Sequence, residues 1–428
     1  MQYSHLSRYV SPDPHNRWIK WATWLIREVT AFVFIYSGFV KAIDPWGTLY
    51  KTEDYLAAMG LSIWPNLVTV GVFILCGFEF FIGVCLATGC FRKGSSILSF
   101  ILMCFMLPLT LWIAVFDPVP DCGCFGDAYV ISNWATFWKN VVLFAFTLWL
   151  ARYNRYCACL ITPALQWIAF IATALFIFGI ELAGYIYQPL IDFRPYPVGS
   201  PLTEQSDLQE PEYMFIYARN GETKEFAIDN LPDESEGWEF VDRKEIGAGA
   251  ESSEDSNSGF HIWDENEDVT AEILTSDKDR ILLLMPDMGD VSISTTWKIN
   301  SLYDWALKHD IDMIAAVAGS PAEIANWKDL SMPEYPIYTA DDTAIKELAR
   351  GNPAVVFTEK GIVRWKSSLR AINTADFMAH DAAAEPMSFA RDNHRLLLNF
   401  SYLYLSVLAL LIMASFIPQL KKLFRLWR

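Results

Sequence analysis

Six apolar stretches, beginning near Trp21, Trp64, Ile97, Trp134, Thr162 and Phe400, constrain this chain more than any other feature. Each runs for roughly 18 to 25 residues, the length of a helix that crosses ~30 Å of hydrocarbon. Five come early and the sixth closes the chain. The first does not read as a cleaved leader. It lacks a small-residue cleavage site, and Arg27 and Glu28 interrupt it, so a retained helix is expected. Basic residues then set the orientation. Arg8, Arg17 and Lys20 precede the first stretch; Arg92 and Lys93 separate the second from the third. Arg152 and Arg155 separate the fourth from the fifth, and Lys421, Lys422, Arg425 and Arg428 follow the sixth. All four groups fall on one side of a six-helix path, which makes that side cytoplasmic and puts both termini there. The loop between the third and fourth stretches, and everything between the fifth and sixth, then face outward.

The charge divides the chain the same way. The net charge is −17, yet residues 187 to 395 carry about 40 acidic and about 18 basic side chains, while the rest is net basic. An acidic soluble body is therefore attached to a mildly basic membrane body, and the acidity argues against nucleic acid as a partner. The expected organisation is a cytoplasmic N-terminus over 1–20, a five-helix membrane domain over 21–186, and an extended linker with a small β hairpin over 187–259. An α/β domain follows over 260–390, a sixth helix over 396–418, and a basic tail over 419–428. The hairpin is EYMFIYARNGETKEFAI, with its turn at Asn220-Gly221. The stretch 247–259, GAGAESSEDSNSG, reads as a flexible linker.

Within 260–390 short apolar runs alternate with amphipathic ones. RILLLMPD, DMIAAVAG and YPIYTA read as strands; TTWKINSLYDWALKHD, AEIANWKDL and DDTAIKELAR read as helices. PAVVFTEKGIVRWKSS reads as a hairpin and NTADFMAHDAAA as a last helix. This order, with GNPAVVFTEKGIVRWK, resembles the thioredoxin fold and places Pro353 where that family has its cis-proline. The resemblance stops at the chemistry. Between the first strand and its helix the chain reads PDMGDVSISTTW, without the family's Cys-x-x-Cys. All eight cysteines lie between Cys76 and Cys159, so thiol chemistry belongs to the membrane half.

The segment PVPDCGCFGDA carries two of them, Cys122 and Cys124, in the outward loop between the third and fourth stretches. A bridge across one residue would be strained and easily reduced, and Gly123 removes the Cβ that would crowd it. A structural staple gains little here, because so short a loop barely restricts the unfolded chain. Against a reactive role stand Asp117, Asp121 and Asp127, three carboxylates expected to raise thiol pKa values. Lys139 is the nearest basic candidate to oppose them. Two sulfurs are too few for a metal, and no metal site is expected. Three segments resemble the MauE branch of the DoxX/MauE family: REVTAFVFIYSGFVKAIDPWGT, EFFIGVCLATG, and DCGCFGDA leading on to FWKN. That resemblance implies a helical membrane bundle acting in periplasmic disulfide formation or electron transfer, with a quinone as candidate cofactor.

Two further groupings follow from depth in the membrane. Glu79 is roughly 22 Å from the outer end of its helix and Arg27 roughly 9 Å from the inner end of its own. These depths nearly coincide in a ~30 Å core, so an intramembrane Glu79–Arg27 pair is expected, either locking the bundle or serving chemistry. At the outer face Lys41, Lys139, Asn140 and Glu181 form a polar cluster. A lysine there lowers a thiol pKa or snorkels to the headgroups, and the sequence admits both. Two functions remain open at this point. One is an inner-membrane thiol/disulfide component that exchanges with a periplasmic protein docked by the cysteine-free domain. The other is a non-enzymatic assembly or scaffold subunit of an envelope complex.

Overall fold

A computed structural model describes residues 14–119, 122–157, 159–202, 212–219, 222–227, 239–246, 259–265, 267–274, 278–373 and 391–426. The chain forms two compact units, 1–193 with 391–428, and 194–390. The turn at Asn220-Gly221, the linker over 247–258, most of NTADFMAHDAAA, and Arg8 and Arg428 lie outside the described residues.

The first unit is helical. Its elements are α1 (Pro14–Ile43), α2 (Pro45–Ala58), α3 (Pro65–Thr88), α4 (Arg92–Phe116), α5 (Asn133–Tyr153), α6 (Gln166–Ile186) and a terminal helix, Asn393–Leu426. Among the described residues five helices are long and apolar enough to cross a membrane. They span Pro65–Thr88, Arg92–Phe116, Asn133–Tyr156, Gln166–Ile186 and Asn393–Ile417. α1 is not among them; its 30 residues include Arg17, Lys20, Arg27, Glu28 and Lys41. It nevertheless packs deep in the bundle, with Ala31, Phe34, Val40, Ala42 and Ile43 buried.

α1 and α3 touch backbone to backbone. A Cβ on Gly38 would lie 2.4 Å from Phe80 N, and one on Gly83 would lie 2.6 Å from Ile35 N. Glycine is what lets these two helices approach. The contacts also fix their register: Gly38 lies opposite Cys76 and Phe80, and Gly83 opposite Ala31 and Ile35. Helix α2 starts where Asp44 caps it, its carboxylate accepting the Gly47 N–H at 3.0 Å, with Pro45 at the first helical position. No helix was expected over Pro45–Ala58, because the stretch is short and mixed in composition.

The second unit holds two sheets. The smaller has the antiparallel order β2-β1-β3, with β1 Glu212–Arg219, β2 Glu222–Ala227 and β3 Glu239–Ile246. The first two strands are the hairpin; β3 is a third strand that the reading of 187–259 as linker and hairpin did not include. The larger sheet has seven strands in the order β10-β9-β6-β7-β8-β4-β5. Their ranges are β4 Ile262–Asp264, β5 Glu267–Asp268, β6 Arg280–Met285, β7 Asp312–Val317, β8 Ile337–Ala340, β9 Ala354–Glu359 and β10 Ile362–Ser368. β6, β7 and β8 are parallel; β9 and β10 run antiparallel to their neighbours. Helices α7 (Thr270–Leu274), α8 (Thr296–Lys308), α9 (Pro321–Ser331) and α10 (Asp342–Leu348) connect the strands.

Strand β6 explains why this sheet is covered on both faces. All six of its residues are buried, as a central strand between two helical layers requires. Ile281, Leu283 and Met285 pack with Leu302 and Trp305 of α8 and Trp327 of α9. Leu282 and Leu284 point the other way, to Ile345 and Leu348 of α10 and to Phe260. The Asn352–Pro353 peptide bond, just before β9, is cis. The unit also begins earlier than position 260. Leu202 N–H donates to Gly361 O at 2.9 Å and Gly199 N–H to Val363 O at 2.7 Å, which lays the end of the Pro-rich exit along β10.

Candidate thiol site

The Cys-Gly-Cys loop is shaped at both ends by the helices it joins. α4 ends at Asp117, which adopts a left-handed backbone (φ 46°). The Asp117 carboxylate accepts from Asn133 Nδ2 at 2.6 Å, and the same nitrogen donates to Val119 O at 2.9 Å. Asn133, at the start of α5, thus ties down the loop and turns Asp117 toward itself. Gly123 (φ 59°) and Gly126 (φ 54°) make the turns between, and the Gly126 N–H closes on Gly123 O at 3.0 Å. The loop is pressed onto its neighbours: a Cβ on Gly123 would meet Lys51 Cγ of α2 at 3.2 Å, and one on Gly126 would meet Val40 Cγ1 of α1 at 3.2 Å. Tyr55 of α2 packs with Trp112 against the cluster that buries both cysteines.

The two thiols are driven in opposite directions. Cys122 Sγ receives the Cys124 backbone N–H at 3.3 Å and lies 3.3 Å from the Thr136 hydroxyl. A hydrogen bond from the Cys124 thiol, then the Thr136 hydroxyl, the Cys124 amide and the positive Lys139 outweigh burial and push Cys122 down to about 6. The Cys124 thiol, which donates that bond and is itself buried, is pushed well above its ordinary value, although Lys139 and Lys41 pull the other way. Asp121 lies outside the described residues; among the described ones, the expected depression of Cys122 reactivity by carboxylates is outweighed by donors. Asp117 is engaged by Asn133, and the donors are in direct contact with the sulfur.

Below Cys124 lies a small cavity of about 30 Å³, walled by Phe34, Leu102, Met103, Met106 and Leu143 and carrying Ser37, Lys41, Glu79, Lys139 and Asn140. Lys41 Nζ reaches both Glu79 oxygens, at 3.0 and 2.9 Å, and both side chains are buried. The Ser37 hydroxyl is 2.8 Å from Glu79 Oε2 and 2.9 Å from the Cys124 carbonyl oxygen, so its one proton serves either acceptor. Lys139 Nζ stands 4.1 Å from the centre of the Phe125 ring. Asn140 Nδ2 donates to Thr110 Oγ1 at 3.2 Å and joins α5 to α4.

The structure therefore gathers Cys122, Cys124, Lys139, Lys41, Asn140 and Glu79 in one place. Glu79 pairs with Lys41 rather than with Arg27, which is held by Glu28. The expected Glu79–Arg27 pair assumed that the two helices end flush at the membrane. They do not. With Gly38 opposite Phe80 and Gly83 opposite Ala31, the first turns of α3 project past the end of α1, Ser37 comes level with Glu79, and Lys41, one turn on, reaches it where Arg27 does not. Glu181 does not join the cluster. It is fully buried on α6, facing Gly77 of α3, and neither of its oxygens has a hydrogen-bond partner among the described residues. Three contributors escaped the sequence reading. Thr136 carried no signal beyond lying on a helix, whereas Ser37 stands in the SGFVK piece of the segment that carries the MauE resemblance. α2 did carry one, in its Asp44-Pro45 start and its Met59-Gly60 stop.

A helical membrane bundle with a thiol pair at one end, joined to a soluble α/β domain, is the class that fold and site define. Residues 19–153 match the family described as Methylamine utilisation protein MauE, a match that takes in α1 through α5 and the whole thiol loop. The membrane unit is thus MauE-like. Residues 211–246 match a domain of unknown function, DUF8463, over the three-stranded sheet. No curated protein matches the chain.

Proposed function

We propose that the membrane unit is a thiol/disulfide exchange component in which Cys122 attacks and Cys124 resolves. The observation that carries this is the opposite drive on the two neighbouring thiols, Cys122 toward thiolate and Cys124 toward thiol. The Cys122 thiolate attacks one sulfur of a partner protein's disulfide. A Cys122–partner mixed disulfide forms, and the partner's other sulfur leaves as a thiolate. Cys124 then loses its proton and attacks Cys122. The partner leaves as a dithiol, two electrons richer, and Cys122 and Cys124 are left as a disulfide. Lys139 stabilises negative charge on either sulfur. The reverse sequence delivers a disulfide to a reduced partner.

The reading extends to the whole chain. Taking α1 as a sixth span puts both termini in the cytoplasm of a bacterial inner membrane, and the thiol loop and soluble unit in the periplasm. The order β10-β9-β6-β7, with β9 running opposite to the other three strands, supports a thioredoxin-like fold without the cysteines. Such a domain docks the partner and leaves the exchange to the loop. The MauE match supports an accessory role in methylamine utilisation. A quinone does not fit beside Cys124. Small-molecule pockets run to roughly 300–1,000 Å³, whereas this cavity of about 30 Å³ has room for water.

Trapping tests the proposal. Cys124→Ser should accumulate a mixed disulfide between Cys122 and a periplasmic protein, seen on a non-reducing gel and abolished by adding Cys122→Ser. A scaffold subunit would tolerate Cys122→Ser and give no adduct, and that pair of results would defeat the exchange reading.

A further inference from the structure

At the end of the bundle away from the thiol loop, a cavity of about 610 Å³ opens between the starts of α4 and α6 and the terminal helix. The thiol chemistry makes no use of it. Arg92 and Lys93, in the first turn of α4, line it, and neither side chain makes a hydrogen bond or ion pair with a described residue. Among the described residues no carboxylate lines it. The nearby Glu28 is occupied by Arg27. Two long helices, of 25 and 21 residues, begin at its walls. The first-turn amides of α4 have no carbonyl of their own helix to donate to, and both helix N-termini add positive potential, although in α6 the Ile168 N–H is taken by Leu165 O at 3.1 Å.

The walls are fixed rather than loose. Gln166 Oε1 accepts the Phe91 N–H at 3.1 Å, while its Nε2 donates to Cys159 Sγ at 3.1 Å and Ile161 O at 3.2 Å. Ser415 Oγ of the terminal helix accepts the Thr162 N–H at 3.0 Å. Three separate segments are thereby held around one positively charged hollow.

We propose that this cavity binds the phosphate headgroup of an anionic phospholipid. The shared chemistry is a phosphate oxyanion, and its position favours a lipid over free phosphate. Trp167 is exposed at the rim, with its ring centroid 5.2 Å from that of Phe91, as aromatic side chains sit at headgroup level. From Trp167 an exposed apolar lane continues along α6 through Ile171 and Leu175, one turn apart. An acyl chain lies along that lane while its phosphate occupies the hollow. Basic pockets between membrane helices are suited to such headgroups.

Native mass spectrometry of the full chain, released from detergent with phosphatidylglycerol or phosphatidylcholine, tests this. The wild type should retain phosphatidylglycerol in preference. Arg92→Gln with Lys93→Gln should weaken that retention by roughly tenfold or more, since each cation near an anionic headgroup contributes of order a factor of five. Arg152→Gln with Arg155→Gln, at the same end but outside the cavity, should leave it unchanged. Equal loss in both double variants would mean a diffuse basic belt and would overturn the site. Millimolar inorganic phosphate should not displace the lipid; full displacement would assign the cavity to free phosphate and overturn the lipid source. Cys159, on the cavity wall, gives a readout on unmutated protein. Vesicles containing phosphatidylglycerol should slow its alkylation several-fold relative to phosphatidylcholine vesicles, and equal rates would contradict the proposal.

Discussion

At Cys122, burial and hydrogen bonding pull against each other. Burial alone raises a thiol pKa, but the Cys124 thiol, the Thr136 hydroxyl and the Cys124 amide all favour the thiolate. The directions are then opposite: Cys122 is driven toward the thiolate and Cys124 toward the thiol. Iodoacetamide should label Cys122 with a midpoint near pH 6, while Cys124 stays unlabelled well past pH 9. Lys139→Met removes a charge that favours the thiolate, so the midpoint moves up. A shift of about one unit lowers the thiolate fraction at pH 6 about fivefold; an unchanged labelling rate would remove Lys139 from the mechanism. The Lys41–Glu79 pair follows a different logic. Glu79→Gln leaves a buried ammonium without its counter-charge, a loss of about 3–5 kcal/mol. Lys41→Met with Glu79→Gln should recover much of it. A double-mutant cycle on unfolding in detergent separates the two cases, and strictly additive losses would refute the pairing.

Between helices, the contact that matters most is α1 against α3. Gly38 has no room for a methyl group, since Phe80 N would stand 2.4 Å away. Gly38→Ala should cost roughly 1–3 kcal/mol and shift Lys41 relative to Glu79, while Gly71→Ala, with open space around it, should be nearly silent. Thermal unfolding of both variants checks this. The same contact marks how far the sequence could be read. Apolar length revealed the helices, and continuous apolar runs such as RILLLM revealed the central strands, because both signals are local. The pairing of Glu79 was not local. It depends on how far α3 slides past α1, which two glycines decide, and no depth estimate from helix ends contains that. Strands β4 and β5 stayed hidden for a related reason: with three and two residues they carry no local pattern and are defined by the strands they pair with.

The chain as a whole carries two sets of cores. One faces both sides of β6 in the soluble unit; the others hold the membrane helices together. Leu283→Ala should cost about 2–5 kcal/mol in the soluble unit, read by the denaturant midpoint of its tryptophan signal, and should leave the labelling midpoint of Cys122 near pH 6. A shifted Cys122 midpoint would mean that the soluble core sets the chemistry of the loop. Acid and cysteine segregate along the sequence as well: no cysteine lies beyond Cys159, and the acid excess follows Tyr187.

The central claim is that Cys122 and Cys124 form a working redox couple, and its midpoint potential is the most direct test. Membranes poised in glutathione buffers, quenched and treated with an alkylating mass tag, report the fraction oxidised at each potential. A reversible two-electron couple above about −300 mV, where structural disulfides no longer resist reduction, is the expected result. Two thiols that never oxidise, or a disulfide that glutathione cannot open, would contradict it.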